Sequence, residues 1–119
     1  MGKLTIGCFS SLVGSMTLDF SVKLAKAAMD KGHSVDMWLS GNGTTLSKTG
    51  QRSFQDYSSL QKTVEELVAK GMTLVACEAC AEARGLHKED FMPGCGRKSM
   101  DWYLASCFHA DRVIHIGGE

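Results

Sequence analysis

The sequence predicts an α/β fold in which a mostly parallel sheet carries helices on both of its faces. Short apolar runs of strand length alternate with segments of helical periodicity along the 119 residues. Such alternation is typical of β-α-β units, whose strands lie parallel. Because ligands of these sheets gather beyond the carboxyl ends of the strands, we expect the functional residues at that edge.

Length and composition indicate one domain, residues 1–119, that buries a core without disulfides or metals. The 13 basic and 13 acidic residues give a net charge of zero, which argues against nucleic-acid binding. No apolar run approaches the about 18 residues of a membrane span, and the first residues have no signal-peptide pattern. The five cysteines, an odd number, are therefore expected as reduced thiols in the cytoplasm.

The first strand is predicted over Leu4 to Phe9, with Cys8 as a small buried hydrophobe. The segment Ser10 to Thr17 then opens a helix that runs to about Lys31 and stops at Gly32. Its apolar stripe consists of Leu18, Val22, Ala25 and Met29, widened by Phe20, Leu24 and Ala28.

The loop before this helix is a candidate anion site, because hydroxyls and unpaired N–H groups converge at a helix start. Ser11, Gly14 and Ser15 are its candidate binding residues. The loop has neither the lysine of a P-loop nor the G-x-G-x-x-G spacing, so simple helix capping is the favoured interpretation.

A second strand is predicted over His33 to Leu39, and a polar loop of a dozen or so residues follows it. This length is typical of a lid or binding loop, and we expect a segment that is mobile until a partner orders it. Helical spacing then returns from about Tyr57 to Lys70, and Gly71 ends that helix.

The third strand, Leu74-Val75-Ala76, leads directly into a helix that starts at Cys77 and stops at Gly85. A cysteine at such a junction faces unpaired backbone N–H groups, which favour the reactive thiolate. Cys80 stands about one turn further, where its sulfur can react with that of Cys77.

The last part of the chain begins with a predicted loop, His87 to Lys98, in which glycines flank Cys95. An exposed, movable thiol is expected there, so Cys95 is a candidate second thiol. Ser99 is predicted to cap a helix, and Asp111 to Gly117 is predicted as a buried strand. The helix residues predicted to share its buried face are Met100, Tyr103, Leu104 and Cys107.

Zinc binding by Cys77, Cys80, Cys95 and a histidine is disfavoured, because a structural zinc pair normally lies on a turn. A thioredoxin-like dithiol is disfavoured by the absence of aromatic and proline neighbours around C-E-A-C and by the order of elements. The sequence contains no G-x-S-x-G motif, so serine-hydrolase chemistry is not expected. We expect neither a metal nor a cofactor.

The stretch C-E-A-C-A-E-A-R-G-L, the Ser/Gly loop after the first strand and the closing A-D-R-V-I-H-I-G together resemble the DsrE/DsrF-like family, which includes the TusD proteins. The most specific part is a cysteine at a strand end followed seven residues later by Arg-Gly, here Cys77, Arg84 and Gly85. The resemblance implies a flavodoxin-like three-layer α/β/α fold with four to five strands, and homo-oligomers, either trimers or hexamers.

The resemblance also implies a cytoplasmic sulfur relay in which Cys77 accepts sulfane sulfur from a TusA-like partner, holds it as a persulfide and passes it on. Cys80 stands where the TusD pattern has alanine, and as a resolving thiol it would form a disulfide and release sulfide. Arg84 is expected to anchor the helix end or a subunit contact. Two alternatives stay open: a non-catalytic oligomeric module that binds an anion or nucleotide at Ser10 to Thr17, and a C-x-x-C thiol-disulfide redox protein.

Overall fold

The computed structural model describes residues 1–11, 16–55 and 59–117, and its centre is a sheet of five parallel strands. The strands are β1 (Lys3–Cys8), β2 (Ser34–Leu39), β3 (Thr73–Cys77), β4 (Cys95–Lys98) and β5 (Arg112–Ile116). Their spatial order is β4-β3-β2-β1-β5, so the chain winds outward to β4 and then crosses back past β1. The expected α/β fold is confirmed, with five strands in its sheet.

Helices cover both faces of the sheet. They are α1 (Thr17–Asp30), α2 (Gln61–Ala69), α3 (Glu78–Ala83) and α4 (Met100–His109), with short 3₁₀ helices at Gly41–Ser47 and Lys88–Asp90. Helices α1 and α2 pack over one core cluster, and α4 packs over a second, smaller one. Within the described ranges, no helix is long and apolar enough to cross a membrane.

Alternation along the strands divides side chains between these two layers. Leu74 and Ala76 of β3 belong to the cluster under α1 and α2, whereas Val75 and Cys77 belong to the cluster under α4. Successive strand residues point to opposite faces, so the period of two places the Cys77 sulfur in the α4 layer.

The predicted helix stops are confirmed, since Gly32, Gly71 and Gly85 follow their helices with φ values of 89°, 116° and 74°. Positive φ is the conformation that favours glycine at the end of a helix. The predicted start of α2 at Tyr57 lies outside the described residues, and the helix that they include begins at Gln61.

The loop predicted over His87 to Lys98 is in part wrong, because Cys95–Lys98 forms the edge strand β4. This strand pairs with β3 in register, Leu74 opposite Cys95 and Cys77 opposite Lys98. The sequence C-G-R-K has a low strand propensity because it contains a glycine and two basic residues. Pairing with β3 overrides this low propensity.

The segment after β2, predicted as a polar loop, contains a short helix. Residues Gly41–Ser47 form a 3₁₀ helix in which Thr44, Leu46 and Ser47 are buried. Gly43 lies so close to the backbone carbonyl of Cys8 that a Cβ atom there would overlap it. Close packing against β1 therefore holds this segment at the carboxyl edge of the sheet.

The last helix and strand are more exposed than predicted. On α4, Tyr103 is buried, but Met100 and Leu104 are 46% and 50% exposed, so the predicted buried face is wrong in two positions. Strand β5 is an edge strand, and its first four residues are exposed rather than buried. The sheet order is the reason, because β5 has a neighbour only on the β1 side.

A buried polar network attaches α4 to the sheet. Ser106 on α4 donates from Oγ to Asp36 Oδ2 at 2.7 Å, and its Oγ lies 2.7 Å from Thr5 Oγ1. Lys3 completes the network with Nζ at 2.9 Å from the same Asp36 oxygen. Buried hydroxyls that are fully hydrogen-bonded in this way specify one position for the helix.

Candidate functional site

The candidate site begins at Cys77, which is both the last residue of β3 and the N-cap of α3. Its backbone is extended, with φ −64° and ψ 118°, and the side chain is only 8% exposed. Trp38, Val75 and Tyr103 belong to the same buried cluster. The predicted position of Cys77 at the strand-helix junction is therefore correct, but its sulfur faces an apolar and aromatic layer.

Cys80 lies on the first turn of α3, and its thiol is hydrogen-bonded to the thiol of Cys77. Unlike Cys77, it is only partly buried. The spacing of three residues brings the sulfurs together because it is close to one helical turn. Cys77 and Cys80 thus form one dithiol at the carboxyl edge of the sheet.

The segment after β2 supplies further polar groups to Cys80. Ser40 Oγ lies 3.7 Å from Cys80 Sγ, and the backbone N–H of Gly41 is also hydrogen-bonded to that sulfur. Leu39 and Ala76 pair in adjacent parallel strands, so the residues that follow them meet at the same edge. Residues 40 positions apart in the chain are therefore neighbours at the thiol.

Arg84 fixes the other end of α3 against the 3₁₀ helix. Its Nε donates to Asn42 Oδ1 at 2.8 Å, and its Nη1 donates to the backbone carbonyl of Cys80 at 3.0 Å. The expectation that Arg84 anchors the helix end agrees with these bonds. Its positive charge also acts on the Cys80 sulfur.

These surroundings separate the acidities of the two thiols. Burial raises the pKa of Cys77, and the hydrogen bond to Cys80 raises it further, although the N–H groups of Cys80 and Ala79 act in the opposite direction. Burial also opposes ionisation of Cys80, but hydrogen bonds from Cys77, Gly41 and Ser40 and the charge of Arg84 outweigh it and lower the pKa. The pKa of Cys80 is therefore shifted below, and that of Cys77 above, the ordinary value for a cysteine.

The expectation of a Cys77 thiolate meets an opposing effect in the structure, because the pKa of Cys77 is raised. It rested on unpaired N–H groups at the start of α3, which do favour the Cys77 anion. The buried position among Trp38, Val75 and Tyr103 has the larger effect. Desolvation of a charged group outweighs a few N–H donors when few polar groups replace water.

Cys95 does not join the dithiol. It lies on β4 and packs against the core cluster under α1 and α2, and its Sγ is 3.5 Å from the carbonyl of Gly96. Burial raises the pKa of Cys95 to about 12, and that of Cys8 to about 11. Cys95 is thus a protonated thiol in the opposite layer, and Cys8 is the buried hydrophobe that the sequence predicted.

The predicted anion loop is only partly described. Gly14 and Ser15 lie outside the described residues, whereas Ser11 follows β1 at the carboxyl edge of the sheet. Within the described ranges, no group of three or more His, Cys, Asp and Glu side chains is arranged to hold a metal ion.

An aromatic stack lies beneath the dithiol in the α4 layer. The rings of Trp38 and Tyr103 are stacked with centroids 5.4 Å apart, and the Trp102 ring also stacks on Trp38, with centroids 6.0 Å apart. Tyr103 OH is hydrogen-bonded to His115 Nδ1 at 2.8 Å. Cys77 belongs to the same buried cluster as Trp38 and Tyr103, whereas Cys80 is only partly buried.

Sequence reasoning missed Ser40, Gly41 and Asn42 as site residues. The available signal was the polar run S-G-N-G directly after the second strand, at the edge where Cys77 was expected. A 3₁₀ helix was not predicted there, so the direction of the Gly41 N–H toward Cys80 was not evident.

Comparison with known proteins gives a consistent result. A model of the DsrE/DsrF-like family matches residues 8–116. Uncharacterized proteins from Methanopyrus kandleri and Methanocaldococcus jannaschii are each 29% identical, over 94 and 96 residues, covering 79% of this chain and 77% and 82% of theirs.

Among solved structures, the ychN protein from E. coli superimposes with a TM-score of 0.89 at 23% identity, covering 97% of this chain and 99% of that one. A protein of unknown function from Methanobacterium thermoautotrophicum gives a TM-score of 0.78 at 12% identity, covering 96% of this chain and 99% of that one. At these identities the likeness concerns the fold.

Proposed function

Because the chain belongs to the DsrE/DsrF-like family, we propose that it is a sulfur-relay protein that accepts sulfane sulfur as a persulfide at Cys77 and Cys80 and passes it to a partner. The observation that carries the proposal is the pair of thiols at the carboxyl edge of the sheet, where the surroundings of Cys80 lower its pKa. A thiolate is the nucleophile that sulfur transfer requires.

The transfer moves one sulfur atom without net oxidation. A site thiolate attacks the outer sulfur of a donor persulfide, a new S–S bond forms, and the donor leaves as its thiolate. The sequence prediction assigned this persulfide to Cys77. An acceptor thiolate then repeats the step in the other direction, and the site returns to its starting state.

The chemistry requires a donor and an acceptor that bring their own thiols to the site. We expect a small TusA-like carrier in this role, in the reducing cytoplasm, where the dithiol stays reduced. We also propose that the chain is a homo-oligomer, a trimer or hexamer. Its support is the set of exposed apolar side chains on α4 and β5, which are Met100, Leu104, Phe108, Val113 and Ile114.

The test is sulfur loading from inorganic polysulfide, read as the intact mass of the reduced protein. We expect a gain of one sulfur atom per chain in the wild type and in the control Cys107→Ser. The double variant Cys77→Ser/Cys80→Ser should gain none. A double variant that loads as the wild type does would refute the proposal, and so would a wild type that does not load.

A C-x-x-C redox function is the second candidate, and the same hydrogen-bonded pair favours it. It predicts that the protein cycles between dithiol and disulfide with a dithiol partner and gains no sulfur. Mass measurement after polysulfide and after an oxidised dithiol such as dithiothreitol disulfide separates the two functions.

A further inference from the structure

We propose that Cys80, and not Cys77, is the thiol that attacks the sulfane sulfur and first holds it. The inference rests on the proposed sulfur-relay function and assigns the roles within that site. Four groups define it: Cys80 itself, the thiol of Cys77, the Ser40-Gly41 segment and Arg84.

Access is the first argument. Cys77 is 8% exposed and shares its cluster with Trp38, Val75 and Tyr103, whereas Cys80 is only partly buried. The attacking thiolate must be able to reach the outer sulfur of the donor persulfide. The accessible sulfur of the pair is that of Cys80.

The arrangement of donors is the second argument. Cys80 Sγ has the Cys77 thiol, the Gly41 N–H and the Ser40 hydroxyl around it, and the guanidinium of Arg84 reaches the carbonyl of Cys80. These groups come from three different segments, and they all favour negative charge on one sulfur. Burial is the largest single influence on both thiols, and the groups that favour the anion outweigh it only at Cys80.

The same arrangement explains how a persulfide survives beside a second thiol. When Cys77 is deprotonated and attacks the inner sulfur of the Cys80 persulfide, a Cys77–Cys80 disulfide forms and HS⁻ leaves. The two thiols are then oxidised, the sulfane sulfur is reduced, and a cellular dithiol must restore the pair. Because the buried Cys77 keeps its proton, this release is slow and transfer to an acceptor is favoured.

The experiment is a brief exposure of reduced protein to limiting inorganic polysulfide, followed by alkylation, digestion and mass analysis of each cysteine peptide. In the wild type we expect the added sulfur on Cys80. In Cys77→Ser, whose hydroxyl retains a hydrogen-bond donor, loading on Cys80 should persist. In Cys80→Ser the initial rate should fall at least about tenfold, since the remaining Cys77 thiol is buried and its pKa is raised.

The outcomes separate this inference from the function on which it rests. Initial sulfur on Cys77 in the wild type, or wild-type loading of Cys80→Ser, overturns the assignment to Cys80 and leaves the relay function standing. Loading of Cys77→Ser/Cys80→Ser at the wild-type rate overturns both. The wild-type mapping needs no substitution, so it decides the assignment even when a variant fails to fold.

Discussion

Arg84 donates from Nε to Asn42 Oδ1 at 2.8 Å, and this bond joins the end of α3 to the 3₁₀ helix that carries Gly41. One side chain thus sets the distance between the two segments that surround the Cys80 sulfur. Its second hydrogen bond, from Nη1 to the carbonyl of Cys80, keeps the positive charge of Arg84 close to Cys80. We therefore expect the reactivity of Cys80 to depend on Arg84, although Arg84 need not touch the sulfur-donating molecule.

Replacing Arg84 by Gln should raise the pKa of Cys80 and slow its alkylation by iodoacetamide at pH 7 about threefold to tenfold. The charge that favours the anion is lost, while a hydrogen-bonding side chain remains. The control is Arg112→Gln at the sheet edge, which should leave the rate unchanged. Equal rates in wild type and Arg84→Gln would show that this charge has no influence on the thiol.

The alkylation rate of Cys80 should rise with pH to a plateau, and the midpoint of this rise should lie below 9.0, the ordinary pKa of a cysteine. The sign follows from the hydrogen bonds, which stabilise the anion and therefore lower the pKa. Cys77→Ala removes one donor and should shift the profile to higher pH, whereas Cys77→Ser should shift it less. Peptide mapping of the alkylated protein at several pH values gives the profile. A midpoint at or above 9.0 in the wild type contradicts the assignment.

Gly43→Ala should destabilise the protein by about 1–3 kcal/mol, because overpacking forces a backbone shift. A Cβ atom at this position would overlap the carbonyl oxygen of Cys8, and two stretches of backbone cannot yield as a flexible side chain does. The shift would also move Gly41 away from Cys80 and slow its alkylation. Urea unfolding measures the first effect and peptide mapping the second.

Gly96→Ala is the matched control, since the nearest atom to its added Cβ is Val75 Cγ2 at 3.4 Å, an ordinary contact. It should change the free energy of unfolding by less than about 1 kcal/mol. Similar losses of unfolding free energy in both variants would mean that the close approach of Gly43 to β1 does not contribute to stability.

The proposed homo-oligomer should dissociate when its apolar surface is made polar. Phe108 at the end of α4 is 87% exposed, and Val113 and Ile114 stand on the edge strand β5. Phe108→Ser should lower the mass measured by light scattering during gel filtration, since apolar burial drives association. Phe54→Ser, at a 70% exposed phenylalanine outside α4 and β5, should leave that mass unchanged. A monomeric wild type would contradict the oligomer directly.

The sequence was most informative where a local pattern decides the structure. Apolar runs predicted β1, β2 and β3, glycines with positive φ marked the helix ends, and the spacing of Cys77 and Cys80 implied that their sulfurs meet. It was least informative for β4, whose residues C-G-R-K form a strand only because β3 offers a neighbouring edge.

From the amino-acid sequence alone came the fold class, the strand-helix junction at Cys77 and the presence of a second thiol one turn away. Tertiary structure decided the surroundings that raise the pKa of one thiol and lower that of the other. The pKa of a thiol depends on burial and on donors supplied by other segments, and Ser40, Gly41 and the Trp38 cluster reach the pair only after β2 and β3 have paired. Residues far apart in the chain therefore determine the chemistry of two cysteines that lie close together in it.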